Sequence, residues 1–383
     1  MRCSKCLENN DAGLRYCVSC GNSLTVPAEK PSPRRHDIDA IRSIALILLI
    51  LYHIAVGFQP WGTYIGFITN KESLEWLWSL MKLINIWRIP ILFVVSGMGV
   101  YFAMQRRTWG ELIGDRSLRI VVPLVFGTFF IVPIYMVLFN AFYDKPLIYI
   151  PNPGHLWFLF NICIYIIIML PIFIYIKGNP QNKALNMIST VISKPLGVVV
   201  IFAIPMAIEA LLVNPDDYPT FHMWSSTPFH GLLLGMICFF FGFIFVSLKT
   251  TFWSAVDQSK NIALILAISL FSVRIIELID IQLIRNVLTS LESVCWILTA
   301  FGFGSTYLNK STRIVGYLSS AVYPVYIVHM PIQFFFSSLI VPLEVPAIIK
   351  FIMVLIATYS GSLIIFEMVK RLKIVRVAMG LKI

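Results

Sequence analysis

Apolar residues along most of this chain come in runs too long for one face of a soluble helix. The runs lie near 41–58, 84–104, 119–140, 155–176, 196–213, 228–247, 261–279, 288–308, 315–340 and 346–369. Each is close to the ~20 residues an α-helix needs to cross the hydrocarbon of a bilayer. The pattern predicts an all-α fold, a polytopic transmembrane helix bundle of about ten helices filling 37–383, with no short-period repeat. The run at 315–340 is long and carries proline, which predicts a bend. Before the first run the pattern changes. Residues 1–24 are polar and cysteine-rich, 25–36 form a charged, proline-rich linker, and Asp37 and Asp39 precede a first helix expected at about 41–58.

Composition sharpens this. The 383 residues are 58% hydrophobic and 13% charged, with a net charge of +11 and a mean hydropathy of +0.82. That excludes a soluble domain. The positive charge does not point to nucleic acid, because Lys and Arg are scattered over loop ends. Most of them fall in alternate connections, which places the amino terminus in the cytoplasm. An even number of spans brings the carboxyl terminus to the same side of the cell membrane. The polar start shows no cleavable signal peptide.

Cys3-x2-Cys6 and Cys17-x2-Cys20 make two knuckles that together supply four thiolates to one tetrahedral zinc ion. Gly21 suits the tight turn such a site needs. A pair of disulfides is the alternative, but it needs an oxidising compartment, and the expected cytoplasmic location favours zinc. With no open coordination position the zinc is structural. The segment is similar to zinc ribbons at the ends of many bacterial membrane proteins, and a cytosolic partner for it is one expectation. Cys163, Cys238 and Cys295 sit singly in apolar runs as small hydrophobes.

Several polar residues interrupt the runs. Arg42 and His53 lie eleven residues apart in the first span, about 16 Å of rise and about three turns, and so on nearly one face. An ionisable residue at the depth of His53 points to function, although a histidine alone also serves to hydrogen-bond a neighbouring helix. The run Trp87-Arg88-Ile89-Pro90 to Ser96-Gly97 puts Arg88 on the outer side and Pro90 near a helix start, with Ser96 and Gly97 allowing close packing. Arg116 and Arg119 set two guanidiniums on one helix face at the membrane edge, suited to a polyphosphate or to anchoring alone. His155 opens the fourth span within His-Leu-Trp-Phe-Leu, where an aromatic belt is the simpler reading. His329 closes Tyr323-Pro-Val-Tyr326-x2-His329 inside a span. Glu209, Arg274, Glu277, Asp280 and Glu292 gather toward outer helix ends. Arg274 and Glu277 are spaced to neutralise each other; the functional alternative is an outer polar pocket. His222 and His230 carry no signal of their own.

Five of these blocks, in order over about 36–370, together resemble the acyltransferase 3 family of integral membrane enzymes, its glucan succinyltransferase-like branch in particular. They are Arg42-x10-His53, Trp-Arg-x-Pro-x2-Phe-x2-Ser-Gly at 87–97, Arg116-x2-Arg119, His155-Leu-Trp-Phe-Leu and Tyr323-Pro-Val-Tyr-x2-His329. The zinc ribbon is an addition to that family's pattern. The resemblance implies an O-acyltransferase that moves an acyl group, acetyl or succinyl, from acyl-CoA to a hydroxyl of an extracytoplasmic carbohydrate or glycan. It makes His53 the catalytic residue, as base or acyl acceptor, with Arg42 beside it in the same motif. Arg42, Arg116 and Arg119 are then associated with the acyl-CoA side, where they would grip its phosphates. Arg88, His155, His329 and Glu209 are candidates for the substrate site. Two other classes fit the composition: a proton-coupled secondary transporter, against which stands the lack of matched Gly/Pro-broken helices, and a zinc-ribbon membrane sensor.

Overall fold

The computed structural model describes residues 3, 5–10, 17–21, 34–221 and 228–381, and the chain divides into two compact units, Met1–Arg35 and His36–Ile383. The proline-rich linker up to residue 33 and His222 lie outside the described residues. Helix α1 spans His36–Val56, starting before the apolar run does. The reason is electrostatic: Asp37 and Asp39 occupy its first turn, where carboxylates meet the positive end of the helix dipole. The His36 amide donates to Asn309 Oδ1 at 3.1 Å, which satisfies one of the free amides at that end.

Eleven further helices follow: α2 Trp76–Met104, α3 Trp109–Phe142, α4 Gly154–Gly178, α5 Lys183–Ile192, α6 Gly197–Val213, α7 Pro228–Ser247, α8 Thr250–Ile275, α9 Gln282–Tyr307, α10 Arg313–Ile340, α11 Ala347–Val369 and α12 Lys373–Ala378. Among the described residues there is no strand, and nine helices are long and apolar enough to cross a membrane. The expected span at 196–213 is different. Its helix α6 has 17 residues and meets α5 at 116°, so the two form one broken pair. The break falls at Leu196, which takes a φ of 57° directly after Pro195. Helix α10, expected to bend, is a single helix with Pro324 and Pro331 inside it.

Prolines inside helices do specific work here. Helix α2 begins at Trp76, well before the expected start, so Pro90 is interior and not near an end. Lacking an N–H, it leaves the carbonyl four residues back unpaired. That carbonyl, Ile86, accepts from Ser293 Oγ of α9 at 2.9 Å. Gly97 of α2 and Gly242 of α7 then let the two helices touch backbone to backbone: a Cβ on Gly97 would collide with the Phe239 carbonyl, and one on Gly242 with that of Val94. Helix α1 packs against α2, α9, α10 and α11, which surrounds His53 with polar groups from other helices.

Candidate functional site

Three histidines from three helices meet at the C-terminal end of α1. His53 Nδ1 lies 3.0 Å from His329 Nε2 of α10, the two rings stacked with centroids 5.2 Å apart and 4° between their planes. His155, at the start of α4, stands edge-on to His329 at 5.0 Å. Its position depends on Gly154, whose φ of 48° and contact with the Tyr135 hydroxyl leave no room for a Cβ. His155 and His329 are buried. Gln333, one turn beyond His329, donates from Nε2 to the His53 carbonyl at 2.9 Å.

The acceptors fix the tautomers. A carbonyl can only accept, so the 2.7 Å contact from His329 Nδ1 to the Tyr326 carbonyl puts a proton on Nδ1. In the neutral ring Nε2 is then bare, and His53 must donate to it from Nδ1. This leaves His53 Nε2 with a free lone pair, the form that a general base or nucleophile requires. His155 is set in the same manner: Nε2 donates to the Ile327 carbonyl at 3.1 Å, and its buried Nδ1 has no partner among the described residues. Ile327 can accept because Pro331, four residues on, has no N–H to offer it. Tyr326 ties the cluster together, its hydroxyl donating to the His155 carbonyl at 2.5 Å.

Arg88 adjoins this cluster. It lies about three turns inside α2 and is 4% exposed. Its guanidinium carbon stacks 3.7 Å from the Tyr52 ring centroid, and Nη2 donates to Asn85 Oδ1 at 3.0 Å. Among the described residues Nε and Nη1 have no partner.

The arginines of the two motifs gather at the opposite end of α1. Arg42 pairs with Asp39 at 3.9 Å, its side chain 34% exposed. Arg116 donates from Nη2 to the Gly99 carbonyl at 2.8 Å, and the charges of Arg42 and Arg119 act on it. Asp115, which the sequence reading passed over, holds Arg119 at 2.9 Å and Arg107 at 2.7 Å. Arg116 and Arg119 are not a simple two-pronged face. A π turn over Ser117–Val121 begins directly after Arg116 and contains Arg119, and each has its own partner. Arg42 therefore does not touch His53; about 16 Å of helix separates them.

Glu209 and Glu292 of the outer-end group each meet a basic side chain of the protein. Glu209 Oε1 meets His230 Nδ1 at 2.8 Å, and His230 Nε2 donates to the Tyr218 carbonyl at 2.8 Å. Burial pushes the Tyr218 hydroxyl well above the usual tyrosine range. Arg274 does not pair with Glu277, because α8 ends at Ile275 and Glu277 turns away with a φ of 55°. It grips Glu292 of α9 through two bonds, 2.7 and 2.9 Å. Gln333, Asn85, Asp115 and His230 were all missed by sequence reasoning. No motif marks them, and only the helix packing reveals their partners.

In the amino-terminal unit the ligand atoms of Cys3, Cys6, Cys17 and Cys20 all lie within 4.8 Å of one another. Cys3 and Cys20 are 3.5 Å apart and Cys6 and Cys17 3.4 Å, far beyond a disulfide bond. The spacing fits thiolates around one ion: a tetrahedron with metal–sulfur bonds of ~2.3 Å has edges of about 3.8 Å. Burial raises the Cys17 thiol, but hydrogen bonds from Asn10 and the Cys20 and Ser19 amides outweigh it and bring it down to about 6. Such donors support a metal-bound thiolate.

The fold and site together define a multi-pass membrane protein with a neutral imidazole held ready inside the bundle. The acyltransferase domain model of the acyltransferase 3 family matches residues 35–367; the chain belongs to that family and is a membrane O-acyltransferase. It is similar to glucans biosynthesis protein C of Escherichia coli K12, 24% identical over 379 residues covering 90% of this chain and 94% of the relative. The corresponding protein of Salmonella paratyphi B is 22% identical over 381 residues, with the same coverage. No solved structure matches.

Proposed function

We propose that the protein transfers an acyl group from acyl-CoA to a hydroxyl of an extracytoplasmic carbohydrate, a glucan being the acceptor class that its relatives' name suggests. Both termini are cytoplasmic in the cell membrane, so the arginine end of α1 faces the cytoplasm and the histidine end faces outward. The assignment is of residues 1–24 to a zinc ribbon, 25–36 to a linker and 37–383 to the acyltransferase domain. Arg42, Arg116 and Arg119 hold the donor's phosphates. The pantetheine arm of coenzyme A is a linear chain that can follow α1 and carry the thioester to His53.

The observation that supports this most is the bare Nε2 of His53, fixed by His329. In the transfer, Nε2 takes the proton of the acceptor hydroxyl as its oxygen attacks the thioester carbonyl. The C–O bond forms, the C–S bond breaks, and the leaving thiolate recovers the proton from Nε2. His329 orients His53 and supports the imidazolium that forms, and His155 Nδ1 is a free acceptor for a substrate hydroxyl. Glu209, taken by His230, is assigned no substrate contact. The zinc is structural and belongs to the ribbon.

The test is release of free coenzyme A and acylation of a glucan oligosaccharide by purified protein in detergent, given acetyl-CoA and succinyl-CoA in parallel. His53→Ala is expected to lose about 10²–10⁴-fold in rate while melting like wild type. Wild-type protein that consumes neither donor with acceptor present would sink the proposal.

A further inference from the structure

We propose that Trp61 and Trp78 form an acceptor subsite, an aromatic platform on which a sugar unit stacks outside His53, with Asp217 at its rim. The inference rests on the acyltransferase reading above and adds the residues that hold the acceptor.

The platform is the outer part of a continuous run of rings. From His53 the first ring is that of Tyr52, 6.1 Å away between centroids. Trp78, in the first turn of α2, tilts against Tyr52 at 5.3 Å, and Trp61 stands edge-on to Trp78 at 4.6 Å. Tyr52 has one face under the Arg88 guanidinium, so it fixes the inner end of the run and leaves the two indoles as its outer end. All four rings are half-buried. They are rooted in the bundle, with part of each still open.

The connection that carries Trp61 holds it still. It joins α1 to α2, and its two ends are tied together. The Asn70 amide donates to the Gly57 carbonyl at 2.9 Å, the Leu74 amide to that of Phe58 at 2.8 Å, and Gln59 Nε2 to that of Leu74 at 3.1 Å. Gly62, directly after Trp61, lies so close to the Val56 carbonyl that a Cβ would collide with it. A platform ordered before its ligand arrives costs less entropy on binding.

The open groups identify the ligand. Trp87 and Trp296 spend their indole N–H groups on the protein, on the Leu83 carbonyl and on Glu292 Oε1. Those of Trp61 and Trp78 have no protein acceptor among the described residues. Asp217, exposed in the connection after α6, is near enough for its charge to act on Tyr52, and Thr220 Oγ1 donates to its Oδ2 at 2.7 Å. An indole offers a flat apolar face and one donor, and a carboxylate only accepts. A sugar ring presents the matching set, a C–H face with hydroxyls around its edge. A lipid chain would use the faces and leave the polar groups unused, and Asp217 repels an anion. Trp76 is different. It is 57% exposed and stands outside the run, as an interfacial belt residue does.

The experiment has a kinetic arm and a binding arm. The first follows coenzyme A release over concentration series of a glucan oligosaccharide and of the acyl donor, in wild type, Trp61→Leu, Trp78→Leu, Asp217→Asn and Trp76→Leu. Melting temperature controls for folding. KM for the oligosaccharide is expected to rise about tenfold in the Trp61 and Trp78 variants and about threefold in Asp217→Asn. KM for the donor should not move, and Trp76→Leu should behave as wild type. The second arm titrates the oligosaccharide, without donor, into His53→Ala protein alone and combined with Trp61→Leu or Asp217→Asn; Kd should rise by the same factors. Asp217→Asn alters an exposed side chain, so it guards against a fold lost with an indole. Unchanged acceptor KM and Kd in the tryptophan variants, or a rise for donor and acceptor alike, overturns the subsite and leaves the acyltransferase reading standing. If wild type consumes no donor, the acyltransferase reading fails and the binding arm still decides the platform: oligosaccharide binding that Trp61→Leu weakens upholds it, and binding that is absent or unaltered overturns it.

Discussion

The two ends of α1 handle polar groups in opposite ways. At the histidine end the donors are held by backbone acceptors, Tyr326 and Ile327, and the imidazoles are locked in single tautomers. What remains without a partner there, among the described residues, is a small set: His53 Nε2, His155 Nδ1, and Nε and Nη1 of Arg88. At the arginine end the side chains of Arg42, Arg107 and Arg119 are about one-third exposed, and the last two share Asp115. One end fixes orientation, and the other supplies charge at modest geometric cost. The difference teaches that a catalytic group and a phosphate grip need different surroundings. Proton transfer tolerates little misplacement, whereas a cluster of arginines can follow a mobile anion.

The largest break in this comparison comes from removing the group that orients His53. His329→Ala is expected to cost about 10³-fold in kcat, by analogy with loss of the orienting partner in a catalytic triad. His329→Gln, whose amide oxygen can accept from His53 Nδ1, should recover part of it, and the pH–rate profile should shift. A role confined to packing would give no such recovery. At the other end, Arg116→Gln is expected to raise KM for acyl-CoA about tenfold or more, with kcat nearly unchanged, because only ground-state binding is lost. Steady-state kinetics over a donor concentration series separates the two outcomes.

A smaller effect tests how the histidine end is built. Pro331→Ala restores an N–H that competes with His155 for the Ile327 carbonyl. Thermal stability should rise, since a helix-interior proline is unfavourable by ~3 kcal/mol, while the transfer rate falls roughly a few-fold. Opposite movement of melting temperature and activity is the signature. A fall in both would place Pro331 among ordinary packing residues.

Much of the fold is legible in the sequence itself. The apolar runs located the nine long helices among the described residues, and the Arg42–His53 spacing put both side chains in the first span, on nearly one face. Three features were out of reach, for physical reasons. Pro90 was placed at a helix start because the polar residues before it hid the true beginning at Trp76. The span at 196–213 proved to be half of a broken pair, since Leu196 adopts a left-handed φ that periodicity does not register. The partners of Arg88, His53 and Arg274 come from helices distant in sequence, and spacing along one chain encodes no such contact. His329 was visible only as a second histidine in a span; its stacking on His53 is a product of how α1 and α10 pack.

The smallest expected effect concerns the amino-terminal unit. Four sulfurs within 4.8 Å of one another form a site that a chelator should empty, because a ribbon of this size is held mainly by its metal. Elemental analysis should find about one zinc per chain in wild type and none in Cys6→Ser/Cys17→Ser. Acyl transfer in detergent should stay at the wild-type rate in both the chelated protein and the double variant. The argument is chemical: the ion has four thiolate ligands and no open position for a substrate, while the bare Nε2 of His53 depends on α10 alone. A loss of transfer that zinc restores would instead tie the ribbon to the histidine end. The contrast between a fixed catalytic end and a charged binding end would then need a third, metal-dependent element.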